Sequence, residues 1–207
     1  MFIMLSICIV LLIGHNQNNS MASILEIDTD SLLSKIDNGK IDINGYYKLH
    51  KYGDMTLLIA ASMRGNLKLS QALLDRNASV DLEDDAGQTA LINAVIYSRN
   101  SGIVELLLKN NADPNHIPRN KNYCLRLRNL DTDLVKSLLD HGADPQIDRS
   151  WPIYNAVFEN DLATLKLFLE YTKNPGKSLQ DVQERLNERR IYVSNESMEH
   201  LIEKAGS

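Results

Sequence analysis

The chain repeats itself. Thr56, in DMTLLIAASMRGNLKLSQALLDRNASVD, and Thr89, in GQTALINAVIYSRNSGIVELLLKNNADPN, stand 33 residues apart. A period of that size restricts the fold before any local pattern is read. A third copy, SWPIYNAVFENDLATLKLFLEYT, sets Trp151-Pro152-Ile153 where the others have Thr56-Leu57-Leu58 and Thr89-Ala90-Leu91. Between them lies NKNYCLRLRNLDTDLVKSLLDHGADPQ, whose second half matches and whose first half does not. Three endings align: Asn77-Ala78-Ser79-Val80-Asp81, Asn111-Ala112-Asp113-Pro114-Asn115 and Gly142-Ala143-Asp144-Pro145-Gln146.

Each copy has the same physical content. A short apolar segment carries small residues at helical spacing (Leu58, Ala61 and Ser62; Leu91, Ala94 and Val95; Ile153, Ala156 and Val157), so one helix can lie close to the next. A break follows at Arg64-Gly65-Asn66, Ser98-Arg99-Asn100 or Glu159-Asn160-Asp161. A second apolar helix then runs through Ile103, Val104, Leu106 and Leu107, or through Leu162, Leu165, Leu167 and Phe168. Asn77, Asn111 and Gly142 supply left-handed caps. The Asp/Pro/Asn-rich residues after them are turn formers that carry the chain into a loop. The unit is helix, turn, helix, protruding loop.

These residues resemble the ankyrin repeat, whose pattern runs G-x-T-P-L-H-x-A-A, a Gly, a Leu-rich helix and G-A-D-x-N. The matches are Gly87-Gln88-Thr89-Ala90-Leu91 with Ala94, Pro152 with Ala156, Gly65, and Gly142-Ala143-Asp144. The resemblance implies an all-α solenoid of antiparallel helix pairs with protruding, hairpin-like loops. It also implies a protein-binding module without catalytic activity or cofactor.

The expected organisation has four parts. Residues 1–20 are an apolar leader, 21–50 an N-terminal partial or capping repeat, 51–173 about four repeats, and 174–207 a C-terminal helical cap. Ser31 to Asn44 reads as the second helix and exit loop of a truncated first unit, in keeping with atypical terminal repeats. At the other end, Asn174-Pro175-Gly176 should close one helix and Ser178-Leu179-Gln180-Asp181 open the next, with Leu179, Val182 and Leu186 facing inward. A last helix is expected from near Ser197. Glu184, Arg185, Glu188, Arg189 and Arg190 suit a solvated outer face. Two departures stand out. The second repeat has one extra residue around Tyr97 to Gly102, which should bulge its inter-helix loop. In the third, Arg126 falls where a small buried Ala is usual. An unpaired buried Arg is costly, so that helix is short or rotated, or the alignment takes a gap.

The leader Phe2–Ile13 is an uncharged apolar run, too short to span a bilayer comfortably. Its length suits a signal-peptide core, yet no Lys or Arg precedes it and no small-x-small cleavage site follows. Met21-Ala22-Ser23 reads equally as a translation start. The protein is thus expected to be exported or membrane-associated if Met1–Ser20 is a real leader, and cytoplasmic if translation begins at Met21.

Composition excludes several classes. At 43% hydrophobic and 24% charged the chain can build an ordinary core. Its net charge of −5 disfavours nucleic acid, which demands a basic face. Cys8 and Cys124 are the two cysteines, so the folded part has no internal disulfide and no CxxC zinc spacing. His15, His50, His116, His141 and His200 are scattered without metal-ligand spacing. Asp131-Thr132-Asp133 and Asp84-Asp85 read as helix-start and loop acids rather than catalytic pairs. No P-loop, GxGxxG, GxSxG or HExxH occurs. No metal, cofactor, nucleic acid or small-molecule substrate is expected, and the partner is another protein bound by a monomer.

In proteins this chain resembles, loops and first helices form a concave face. The corresponding positions are Tyr52, Met55, Met63 and Arg64 in the first full repeat, and Asp84, Asp85, Gln88 and Tyr97 in the second. Asn120 and Arg128 occupy them in the third, and Asp148, Ser150, Phe158 and Glu159 in the fourth. Met63, Tyr97 and Phe158 are the expected anchors, or else they pack between repeats. The acidic run Asp81-Leu82-Glu83-Asp84-Asp85 beside Arg119, Lys121, Arg126 and Arg128 is either a footprint for a protein partner or ordinary surface charge. Two function classes remain open: a protein-binding adaptor, an effector if exported, and a structural or membrane-tethered subunit that needs a fixed partner.

Overall fold

The computed structural model describes residues 28–49, 52–126 and 130–189. Helix α1 (Thr29–Asp37) leads into a hairpin, β1 (Tyr47–Leu49) and β2 (Gly53–Met55), paired antiparallel with Tyr47 opposite Met55. Then come α2 (Leu57–Met63), α3 (Leu67–Leu74), α4 (Ala90–Asn93) running on as a π-turn over Ala94–Ser98, and α5 (Ser101–Lys109). A single 3-10 turn (Cys124–Arg126) precedes α6 (Thr132–Asp140), α7 (Ile147–Phe158), α8 (Leu162–Tyr171) and α9 (Pro175–Glu188). The architecture is an all-α repeat solenoid, as the periodicity requires.

Local chemistry starts and stops these helices in register. Thr56 and Thr89 turn their hydroxyls back to accept from the N–H of Ile59 and Ile92 at 3.3 and 3.5 Å. Asn66, Asn100 and Asp161 cap the second helices in the same way. One left-handed residue just before each cap makes the tight inter-helix turn: Gly65, Arg99 and Asn160. The expected left-handed caps are present too, at Asn77, Asn111 and Gly142, with Gly39 in the same place after α1. After Asn77, Asn111 and Gly142 comes a buried alanine whose N–H reaches back five residues: Ala78 to Leu73, Ala112 to Leu107 and Ala143 to Leu138, at 3.0 to 3.1 Å. This is the Schellman closure, and it is why the endings read N-A or G-A.

The units stack through both layers. Helix α2 lies against α4, α3 against α5, α5 against α6, and α6 against α8. Ala60, Ala61, Ala90 and Ala94 are fully buried, and these small side chains allow that closeness. The exit loops are joined as well. Asn44 Oδ1 accepts from the Ser79 N–H at 2.9 Å, Asp81 Oδ1 from Asp113 at 3.1 Å, and Asn115 Oδ1 from Asp144 at 2.7 Å. The last residue of one ending therefore holds the third residue of the next.

Three local expectations are corrected, and the surroundings of Arg126, left open by the sequence, are now defined. The extra residue of the second repeat does not bulge the loop. The π-turn takes it up, with Arg99 N–H bonded to Ala94 O at 2.8 Å, so Arg99 and Asn100 keep the cap geometry of Gly65 and Asn66. In the third repeat the described residues at the first-helix position, Cys124–Arg126, form a 3-10 turn, and Arg126 is paired, with Nη1 3.0 Å from Asp148 Oδ2. Helix α9 begins at Pro175 rather than Ser178, because Asn174 accepts from Lys177 N–H and proline fits the first turn. Its charges do not all face solvent: the guanidiniums of Arg185 and of Arg189 at its C-terminal end lie over Trp151, each 5.0 Å from the ring centroid, together with that of Arg126 from the 3-10 turn at 4.2 Å. The helix expected from Ser197 lies outside the described residues.

Helix α7 opens on an unusual turn, since Asp148, Arg149 and Ser150 are all left-handed. Such residues cost about 1–2 kcal/mol each, and α9 supplies compensating bonds. Arg185 donates to the carbonyl oxygens of Asp148 and Arg149, Ser150 donates to Asp181 at 3.1 Å, and Arg149 pairs with Glu184 and Glu188. The Gly142 cap yields a clean test, because a Cβ there would meet no atom within 4 Å and only the positive φ of 90° opposes it. Gly142→Ala should lower unfolding free energy by about 1 kcal/mol. Gly142→Asn should restore most of that loss, as asparagine serves at Asn77 and Asn111. Urea denaturation of the two variants checks both.

Candidate functional site

The hairpin and the first helices bring two candidate residues together. Tyr52 sits in the hairpin turn and Tyr97 in the π-turn, 49% and 50% exposed, with ring centroids 6.1 Å apart and planes at 75°. That edge-on contact crosses from the first full repeat to the second. Arg64 is exposed at the end of α2 and Asn120 in the third loop. Met63 is half-buried against the core. Phe158 is 46% exposed and stacks on Tyr154 at 6.0 Å, and Glu159 lies exposed beside it.

Other expected contact residues are turned inward. Met55 is buried because β2 pairs with β1 and presents it to the core beside Tyr47. Gln88 is buried, its backbone exchanging bonds with Asp84, and Ser150 is buried against Asp181 of α9. These three are withdrawn from the exposed face. Asp148 is half-buried between Arg126 and Arg185. Arg128 lies outside the described residues.

The acidic run is largely occupied with its own loop. Asp84 Oδ1 accepts from the N–H of Ala86 and Gln88, each at 2.9 Å, and its Oδ2 accepts from Asn93 Nδ2 at 2.9 Å. Asp85 Oδ2 takes the Asp54 N–H at 2.8 Å, joining the second loop to the first hairpin. Gly53 lies beneath that carboxylate with φ 79°, where a side chain would collide with it. His116 Nε2 meets Gly87 O at 2.9 Å and joins the third loop to the second. Tyr46, 52% exposed, was missed by sequence reasoning. Strand alternation could have found it, because its neighbour Tyr47 is buried.

The reactive side chains have structural surroundings. Cys124 is fully buried, and burial pushes its thiol up to about 12, so it stays protonated. His141 caps α6, with Nδ1 2.8 Å from Ser137 O. Asp131 caps the start of α6 through Asp133 N–H at 2.8 Å. Among the described residues no three His, Cys, Asp or Glu side chains come together as metal ligands, and no helix is long and apolar enough to cross a membrane.

Asp84→Ala removes an acceptor from three donors and should cost about 1–3 kcal/mol, whereas Asp85→Ala, losing one exposed bond, should cost less than about 1 kcal/mol. Chemical denaturation of the two variants side by side tests whether Asp84 locks the loop.

The family model for ankyrin repeats (three copies) matches residues 8–117, beginning inside the apolar run that opens the chain. An ankyrin repeat protein of Acanthamoeba polyphaga mimivirus is 31% identical over 135 residues, covering 62% of this chain and 17% of that protein. An ankyrin repeat, SAM and basic leucine zipper domain-containing protein of Callithrix jacchus is 39% identical over 92 residues, covering 42% of this chain and 18% of that protein. The chain thus spans less than a fifth of either relative. With half the sequence matched by the repeat model and helix pairs continuing beyond the match to α8, the chain belongs to the ankyrin-repeat family.

Proposed function

We propose that this chain is an adaptor that binds a partner protein across the face carrying Tyr52 and Tyr97. Ankyrin repeats are generally protein-interaction modules, and the exposed tyrosine pair is the observation that supports this face in particular. Two large rings half open to solvent and already in contact lose little freedom on binding, and tyrosine is enriched at binding hot spots. Arg64 and Asn120 add polar groups from the same set of first-helix ends and loops. Phe158 and Glu159 extend the candidate surface to the fourth repeat. The reading concerns the stack and holds whether or not Met1–Ser20 is retained.

Affinity capture with the full chain tests this reading against the double variant Tyr52→Ala/Tyr97→Ala, with Leu67→Ala as a control for an exposed apolar residue on a second helix. Loss of the pair should weaken capture of specific partners at least tenfold, equivalent to about 1.4 kcal/mol, with melting temperature unchanged and Leu67→Ala binding as the parent. Equal capture by the double variant would refute the assigned face. The competing reading, a subunit that needs a fixed partner for stability, requires the isolated chain to melt at a temperature that rises with concentration. A concentration-independent melt supports the adaptor.

A further inference from the structure

The hairpin has a bonded edge and an open one. On the bonded edge, Asp54 of β2 gives its N–H to Asp85 Oδ2 at 2.8 Å, and its carbonyl accepts from the Asp85 N–H at 3.3 Å. Both backbone groups of Asp54 therefore point into the second loop and away from β1. Antiparallel pairs alternate between residues that exchange bonds and residues that turn outward. Lys48 stands opposite Asp54, so its N–H and C=O point out from the other edge of the hairpin. Tyr46, two residues earlier, belongs to the same edge. Among the described residues no backbone group bonds to that edge at either residue. The strand is held firmly behind it. Tyr47 is buried, and its hydroxyl donates to Asp42 O at 2.7 Å, so close to Gly45 that a Cβ there would stand 2.9 Å from it. Tyr46 and Lys48 face the other way and are both exposed. Among the described residues the Lys48 ammonium forms no ion pair.

An open strand edge can take another strand. Lys48 decides which. A second copy pairing antiparallel through the same edge would set its own Lys48 near this one, and like charges across a strand pair are destabilising. Charge favours a chain with an acid at that place. The second loop shows the pattern on the opposite edge, where Asp85 satisfies Asp54 with one carboxylate and one backbone N–H. We propose that β1 is a docking edge for an extended acidic segment of a partner protein, added as a strand beside Tyr46 and Lys48. Its main chain bonds to the outward N–H and C=O groups of these two residues. An Asp or Glu of the segment meets Lys48, and two residues along, on the same face, an apolar or aromatic side chain lies on Tyr46. Because β1 is already held by Tyr47, little freedom is lost on binding. The site uses neither Tyr52 nor Tyr97, so it stands or falls separately from the face proposed above.

Protein-observed NMR of the full chain tests this with three end-blocked hexapeptides: alternating Asp and Val, the same sequence N-methylated at every backbone nitrogen, and alternating Lys and Val. The Asp peptide should give saturable shifts centred on the Tyr46 and Lys48 amides. Its N-methylated form, which has no main-chain donor, should bind at least about fivefold more weakly, the value of one hydrogen bond. The Lys peptide should bind at least about threefold more weakly than the Asp peptide. In Lys48→Glu the preference between the Asp and Lys peptides should reverse. Tyr52→Ala/Tyr97→Ala should bind the Asp peptide as tightly as the parent, whatever that variant does to partner capture. No saturable shift at Lys48, equal binding of the N-methylated peptide, or an unchanged preference in Lys48→Glu overturns the proposal. Two results without peptide overturn it as well. Lys48 shifts that grow with protein concentration assign the edge to a second copy, and slow exchange of the Lys48 amide in dilute protein assigns it to another part of this chain. The peptide comparison uses the unaltered protein and does not depend on a variant folding.

Discussion

One side-chain oxygen per repeat keeps the stack in phase. Asn44, Asp81 and Asn115 each close an exit loop, and each accepts the N–H of the third residue in the following ending. Loops on the surface of a protein normally give their amides to water. Here the loop amides bond to the neighbouring unit, so the protruding edge is joined along its length and cannot slip by a residue without breaking every rung. The first hairpin and the second and third loops are joined further through Asp85 and His116. A rigid edge of this kind is what lets Tyr52 on a loop and Tyr97 on a helix hold one edge-on geometry.

Much of this was legible in the sequence, because the repeated residues have repeated physical duties. The Thr positions cap first helices, the Asn or Gly positions turn left-handed after second helices, and the alanines that follow close the Schellman bond. What could not be read was how individual departures are absorbed. The extra residue of the second repeat could have gone into a loop or a helix, and composition does not distinguish the two. The structure puts it into the π-turn because the Asn100 cap and the α5 packing leave the loop no slack. Met55 and Gln88 look like surface positions in a repeat template, but strand pairing buries one and the Asp84 loop buries the other. Asp84 itself was legible as a loop acid, while its three donors, all within nine residues of it, depend on the loop's backbone turning Ala86, Gln88 and Asn93 back towards the carboxylate.

The weakest region of the repeat pattern has the densest side-chain chemistry. Arg126, in the 3-10 turn of the third repeat, pairs with Asp148 and lies over Trp151 at the start of α7. Helix α9 then grips the left-handed turn from the other side through Arg185 and Asp181. A charge set that reads as solvated in the sequence is therefore a cap that covers the end of α7 and holds its first turn.

Hydrogen exchange on the native protein measures the phase-holding bonds most directly. Ser79, Asp113 and Asp144 have exposed side chains in loops, yet each amide is bonded to the preceding repeat. The account predicts that these three amides exchange as slowly as the helices they follow, since they open only when adjacent units separate. Exchange of all three at the rate of unbonded loop amides would contradict it.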